Sequence, residues 1–108
     1  MSVIARWCYV AKFGRKPESI NHLKLWVDQI GSQAGCNWDN TRIITGSIGV
    51  LEGRVEMELT LNSITNLDNF FNKIPGNEHV EWGKKMGEYI VDGSTVWEVL
   101  RIKVGRQS

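Results

Sequence analysis

Strand-forming residues crowd the start of the chain, and both of their alternating sets are apolar. From Val3 to Phe13 one set reads Val3, Ala5, Trp7, Tyr9, Ala11 and the other Ile4, Cys8, Val10, which predicts a strand covered on both faces. Gly14 to Pro17 ends it, and Pro17 suits the first turn of a helix, where its missing N–H would have had no partner. Ile20, Leu23, Val27, Ile30 and Ala34 then recur at steps of three and four, drawing one apolar stripe along a helix with His22 on its polar side. Gly35 supplies a left-handed stop, and residues 36–40 read as a polar loop with an exposed Trp38.

Thr41 to Leu51 is rich in strand formers. Glu52-Gly53 turns it into a second run, where Val55, Met57, Leu59 and Leu61 alternate with Arg54, Glu56, Glu58 and Thr60. Gly46 and Gly49 in the first arm point to a bulge or a close backbone approach. Ser63 can cap a helix whose stripe is Ile64, Leu67, Phe70, Phe71 and Ile74, until Pro75-Gly76 breaks it. Asn77 can restart that helix through Val80, Gly83, Met86 or Gly87, and Ile90 as far as Gly93. A last strand follows from Thr95 to Lys103, with Trp97 and Val99 competing against Val96, Leu100 and Ile102 for its inward side.

Strand, helix, strand, strand, helix, strand is the order of a split βαβ unit. It predicts an α+β fold, a four-stranded antiparallel sheet ordered 4-1-3-2 with both helices on one face, and a single domain over residues 1–108. The opposite face is then bare. Because the first strand is apolar on both sides, an isolated chain would show water a continuous apolar patch, and a homodimer pressing two such faces together is the economical solution.

Composition narrows the partners. The net charge is +1 and no segment concentrates basic residues among aromatics, so nucleic acid is not expected. No run reaches the roughly 18 apolar residues of a membrane helix, and the opening residues do not read as a targeting segment. The two cysteines, Cys8 and Cys36, fit neither a disulfide framework nor a metal site, and a reducing cytoplasm is the default expectation. Cys8 reads as a small buried hydrophobe.

The element order, the run from Pro75 to Met86 and the segments 91–94 and 97–101 resemble the dimeric α+β barrel superfamily. Those ferredoxin-like chains include antibiotic biosynthesis monooxygenase-like, NIPSNAP-like and stress-responsive barrel proteins. The resemblance implies two sheets meeting in a barrel, with a small-molecule cavity between sheet and helices or at the dimer seam. In haem-degrading relatives a helix histidine binds iron, with an asparagine near the start of the first strand and a tryptophan assisting. Here Arg6, Trp7 and Cys8 stand where that asparagine would be, so no haem, metal or other cofactor is expected.

Several side chains could carry a function. His79 and Trp82, one helical turn apart, can present an imidazole and an indole together. Cofactor-free monooxygenases of the superfamily rely on Asn, Trp and Arg, which makes Asn72 a catalytic candidate beside His79 and Trp82. Arg6, Trp7, Tyr9, Phe71, Trp82, Gly83, Met86 and Trp97 are the ligand-binding candidates. Five tryptophans can line an aromatic pocket or anchor core and interface. Glu56 and Glu58 face solvent or the barrel, where Arg6, Arg54 or Arg101 can meet them in an ionic seam or hold a ligand carboxylate. Gly83 and Gly87 each weaken a helix by about 1 kcal/mol against alanine; either the helix packs close to the sheet or the missing side chains leave room for a ligand. The expected function is binding of a hydrophobic or amphipathic small molecule, such as a polyketide-like aromatic or a fatty-acyl carboxylate. Its alternatives are a cofactor-independent monooxygenase and a ligand-free dimeric interaction module.

Overall fold

The first strand, β1 (Val3–Val10), carries the molecule: it pairs with both the third and the last strand of one antiparallel sheet. The computed structural model describes residues 2–105. The other elements are α1 (Lys16–Leu25), β2 (Thr41–Thr45), β3 (Arg54–Leu61), α2 (Ile64–Lys73), α3 (Gly76–Met86) and β4 (Val96–Arg101). The sheet order is β2-β3-β1-β4, the expected 4-1-3-2 order read from the other edge.

The local chemistry explains most boundaries. Pro17 lies in the first turn of α1. That helix runs on through a π turn (Trp26–Ile30) and a 3-10 turn (Gly31–Ala34) to Gly35, whose φ of 105° is the left-handed stop. The Ser63 hydroxyl accepts the Asn66 N–H at 3.2 Å and caps α2. Ile74, standing before Pro75, is forced out of the helical region to ψ 125°, and a new helix starts at Gly76. The second helical region is therefore two helices, so three helices rather than two accompany the sheet.

Three predicted strands are shorter than expected, among them β4, which spans Val96–Arg101 rather than Thr95 to Lys103. β1 ends at Val10, Ala11 makes a single bridge to Ile90, and Phe13 is fully exposed. β2 stops at Thr45 because the chain folds back on itself at Gly46, where a Cβ would run into the Leu51 carbonyl. Gly49, at φ 85°, completes that loop, so the two glycines mark a close approach as expected.

Register assigns the faces. Val3, Ala5, Trp7 and Tyr9 stand opposite Leu61, Leu59, Met57 and Val55, and this set, Val3 apart, meets the helices in a core with Leu23, Trp26, Val27, Phe70 and Met86. Burying one such aliphatic or aromatic side chain contributes roughly 1.5–3 kcal/mol. On β4, Trp97 and Val99 pair with Trp7 and Ala5 and share this helix-covered face, while Val96 and Leu100 turn to the other.

That other face is not the continuous apolar patch predicted. Arg6 and Glu58 are direct cross-strand partners in its centre. Glu58 is only 3% exposed: one carboxylate oxygen accepts from Arg6 Nη2 at 2.8 Å and the other from Arg42 at 2.7 Å. Glu56 binds Arg54 and lies 3.8 Å from Arg6. Burial works against the charge of Arg6, but Glu58 and then Glu56 outweigh it and raise its pKa. The expected seam thus forms with Arg6 and Arg54, and with Arg42 in place of Arg101, whose strand position pairs with Val3 on the helix-covered side. Apolar side chains such as Ile4 and Leu100 flank the ionic centre and do not fill it.

Candidate functional site

A cavity of about 330 Å³ lies between the helix-covered face of the sheet and α2 and α3. Trp7, Met57 and Trp97 come from the strands, and Phe70, Phe71, Ile74, His79, Trp82, Gly83, Met86 and Gly87 from the helices or their ends. Trp26 and Ile90 complete it. Helical spacing explains the convergence: His79, Gly83 and Met86 fall at steps of four and three along α3, one face of one helix.

The two glycines hollow this wall. A Cβ at Gly83 would meet nothing within 4 Å, and one at Gly87 would make only ordinary contacts. Of the two readings of these residues, close packing and ligand room, the geometry supports room. Gly31 shows the contrast, since a Cβ there would strike the Trp26 ring and Cys36.

Tryptophan 82 is fixed at both ends. Its indole N–H donates to the His22 carbonyl at 2.7 Å, while His22 Nε2 donates to the Trp82 carbonyl at 2.9 Å. The two rings stack with centroids 5.1 Å apart and 5° between planes. His22, expected to be idle on a polar helix face, ties α1 to α3.

Trp26, buried in the π turn, donates its indole N–H to His79 Nδ1 at 3.0 Å. His79 also lies over Trp82 at 6.1 Å and 19°. Trp26 was not singled out in the sequence, although it falls three residues after Leu23 and four before Ile30 on the same stripe. Met57, Phe70, Ile74 and Ile90 were readable as core positions, but nothing local marked them as cavity walls, whereas Gly87 was already noted with Gly83 as possible room for a ligand.

Seven expected site residues come together here: Trp7, Phe71, His79, Trp82, Gly83, Met86 and Trp97. Three do not. Arg6 points to the opposite face of the sheet because β1 alternates, and its guanidinium is engaged by Glu58. Tyr9 packs against Trp7 at 5.2 Å but sends its hydroxyl away, donating to Ser19 Oγ at 2.9 Å. Burial pushes the Tyr9 phenol up to about 12 against the opposing Ser19 bond, so it stays neutral. Asn72 is exposed on the outer side of α2.

Among the described residues lining the cavity, His79 is the only titratable side chain. No cluster of three or more potential metal-ligating side chains occurs among the described residues, and no helix there is long and apolar enough to cross a membrane. The chemistry available is aromatic stacking around one polar ring.

A ferredoxin-like α+β sheet with an aromatic cavity beneath its helices is what fold and site together define. No family model and no curated protein matches the sequence. Solved structures do match in shape. A NIPSNAP family protein from Agrobacterium tumefaciens superposes with a TM-score of 0.71 at 15% identity, over 95% of this chain and 94% of that one. A Mycobacterium tuberculosis protein gives 0.58 at 14% identity over 100% of both chains. A Chloroflexus aurantiacus protein assigned to the antibiotic biosynthesis monooxygenases gives 0.56 at 6% identity, again over 100% of both. The ferredoxin-like α+β fold expected from the sequence pattern is therefore shown.

Proposed function

We propose that the protein is a homodimer that binds a compact, flat, largely apolar small molecule in the cavity between sheet and helices. The observation that carries this reading is the cavity itself: about 330 Å³, walled by four tryptophans and opened by two helical glycines. Ligand sites span about 300–1,000 Å³, so this volume suits a small polycyclic aromatic. Of the two ligand classes expected, the fatty-acyl carboxylate loses its support, because Arg6 is occupied on the far face. The monooxygenase alternative relies on Asn72, Trp7, Trp97 and Arg6, of which only the two tryptophans line the cavity, and the presence of a cavity argues against a ligand-free module.

Dimerisation is supported by the open face, where Val96 and Leu100 of the edge strand are 49% and 40% exposed beside the ionic centre. Two copies meeting there would cover both. A cytoplasmic setting agrees with Cys8 and Cys36, which are free and buried in separate places.

Native mass spectrometry and thermal shift with 1-naphthol test the proposal together. A dimer mass is expected, with a melting temperature that rises with ligand. At a hundred times its Kd a ligand adds about 2.7 kcal/mol, about 10 °C for a domain this size. A monomer would remove the dimer. An unchanged melting temperature with 1-naphthol and other fused-ring probes at millimolar concentration would remove the binding function.

A further inference from the structure

Resting on that reading, we infer that His79 is held by Trp26 as a hydrogen-bond donor, so that the cavity selects aromatic ligands carrying a carbonyl or phenolate oxygen and rejects ligation to a metal or haem. An indole nitrogen can only donate. Because Trp26 Nε1 donates to His79 Nδ1 at 3.0 Å, Nδ1 must offer its lone pair, and the proton of the neutral ring sits on Nε2. The second nitrogen of a histidine is set by the bond that the first one makes.

The other indole close to this ring cannot substitute for it. The N–H of Trp82 is given to the His22 carbonyl at 2.7 Å, while its ring stacks on His79. His79 Nε2–H is therefore the donor that α3 offers to a ligand in the cavity. A planar ligand lying in the cavity against Trp7, Trp82 and Trp97 would meet it with its rim oxygen. The same arrangement removes what a metal needs. An iron bound at Nε2 requires the lone pair there and a proton on Nδ1, and Trp26 would then face it donor to donor. The residues present do not fit a haem.

Long-range proton–nitrogen NMR of the His79 ring in the whole protein reads the tautomer directly. An Nε2–H pattern is expected, and an Nδ1–H pattern overturns the inference whatever binds. Binding is then followed by tryptophan fluorescence with 1-tetralone and with tetralin, two rings that differ only by a carbonyl. One neutral hydrogen bond corresponds to roughly a fivefold difference in Kd. The wild type is expected to favour tetralone by about that factor. Trp26→Phe and His79→Phe are expected to lose the preference, read as the ratio of the tetralone and tetralin Kd values within each variant. Equal affinities in the wild type overturn the donor role and leave the binding function standing. If neither compound binds, the binding function falls and this inference with it. A haemin complex whose axial ligation disappears in His79→Phe would also overturn it.

Discussion

The two faces of one sheet solve opposite problems with the same strands. Beneath the helices, Val55, Ala5, Leu59 and Tyr9 are at most 1% exposed, and their polar atoms have been removed or paired locally. On the open face, Glu58 is almost as deeply covered, but by arginine side chains laid across it. The first face is stabilised by exclusion of water; the second by charges that satisfy each other. The hollow on the first is walled mainly by aromatic rings, whereas the one on the second also carries Arg54 and Glu98.

Alkaline titration should separate the faces most strongly. Burial raises the Cys36 thiol from 9.0 to about 11, against a weaker bond to Thr41, and the Tyr9 phenol from 10.0 to about 12. Each group keeps its proton when folded and would lose it earlier when unfolded. Stability is thus complete below pH 9 and falls as pH rises through these folded values. Two units apiece correspond to about 2–3 kcal/mol per group, roughly 5 kcal/mol together by pH 12. Cys8, on the open face, shifts in the same direction through burial and then the Glu56 carboxylate, opposed by Arg54. Urea midpoints from pH 8 to 12 should decline, and Cys36→Ala should flatten the portion between 9 and 11. An unchanged profile in that variant would sink the assignment.

On the open face the largest effect should come from stranding Glu58. Arg6→Ala leaves a covered carboxylate with one partner and should cost about 3 kcal/mol, whereas replacing Arg6 and Glu58 together by methionine should recover most of the loss. Measured at fixed protein concentration, a double variant as unstable as the single one would show that packing, not charge pairing, holds this face.

Gly83→Ala should produce the opposite sign. Alanine in α3 adds about 1 kcal/mol to stability, and its methyl group enters the cavity wall, so stability should rise while 1-naphthol affinity falls. Parallel changes in the two would contradict the glycine-hollowed cavity. The smallest effect is expected from Arg42→Ala: its side chain is 68% exposed, and such pairs contribute about 0–1 kcal/mol. A loss near that of Arg6→Ala would mean the two arginines act as one unit.

The sequence by itself determined whatever depends on near neighbours. Alternation set the strands, the three-and-four spacing set the helices, Gly35 and Pro75 ended them, and the glycines at 83 and 87 already raised the question of empty space. Each signal arises from steric limits and hydrogen-bonding needs within a few residues. The tertiary structure decided the rest. Arg6 looked available to a ligand until register set it against Glu58, 52 positions away. His79 looked like half of a pair with Trp82 until the fold brought Trp26, 53 positions away, to its Nδ1 atom. Trp97 could have faced either side until its pairing with Trp7 fixed it. Such contacts follow from which strands pair and where helices land, and that choice is made by the summed burial of the whole chain.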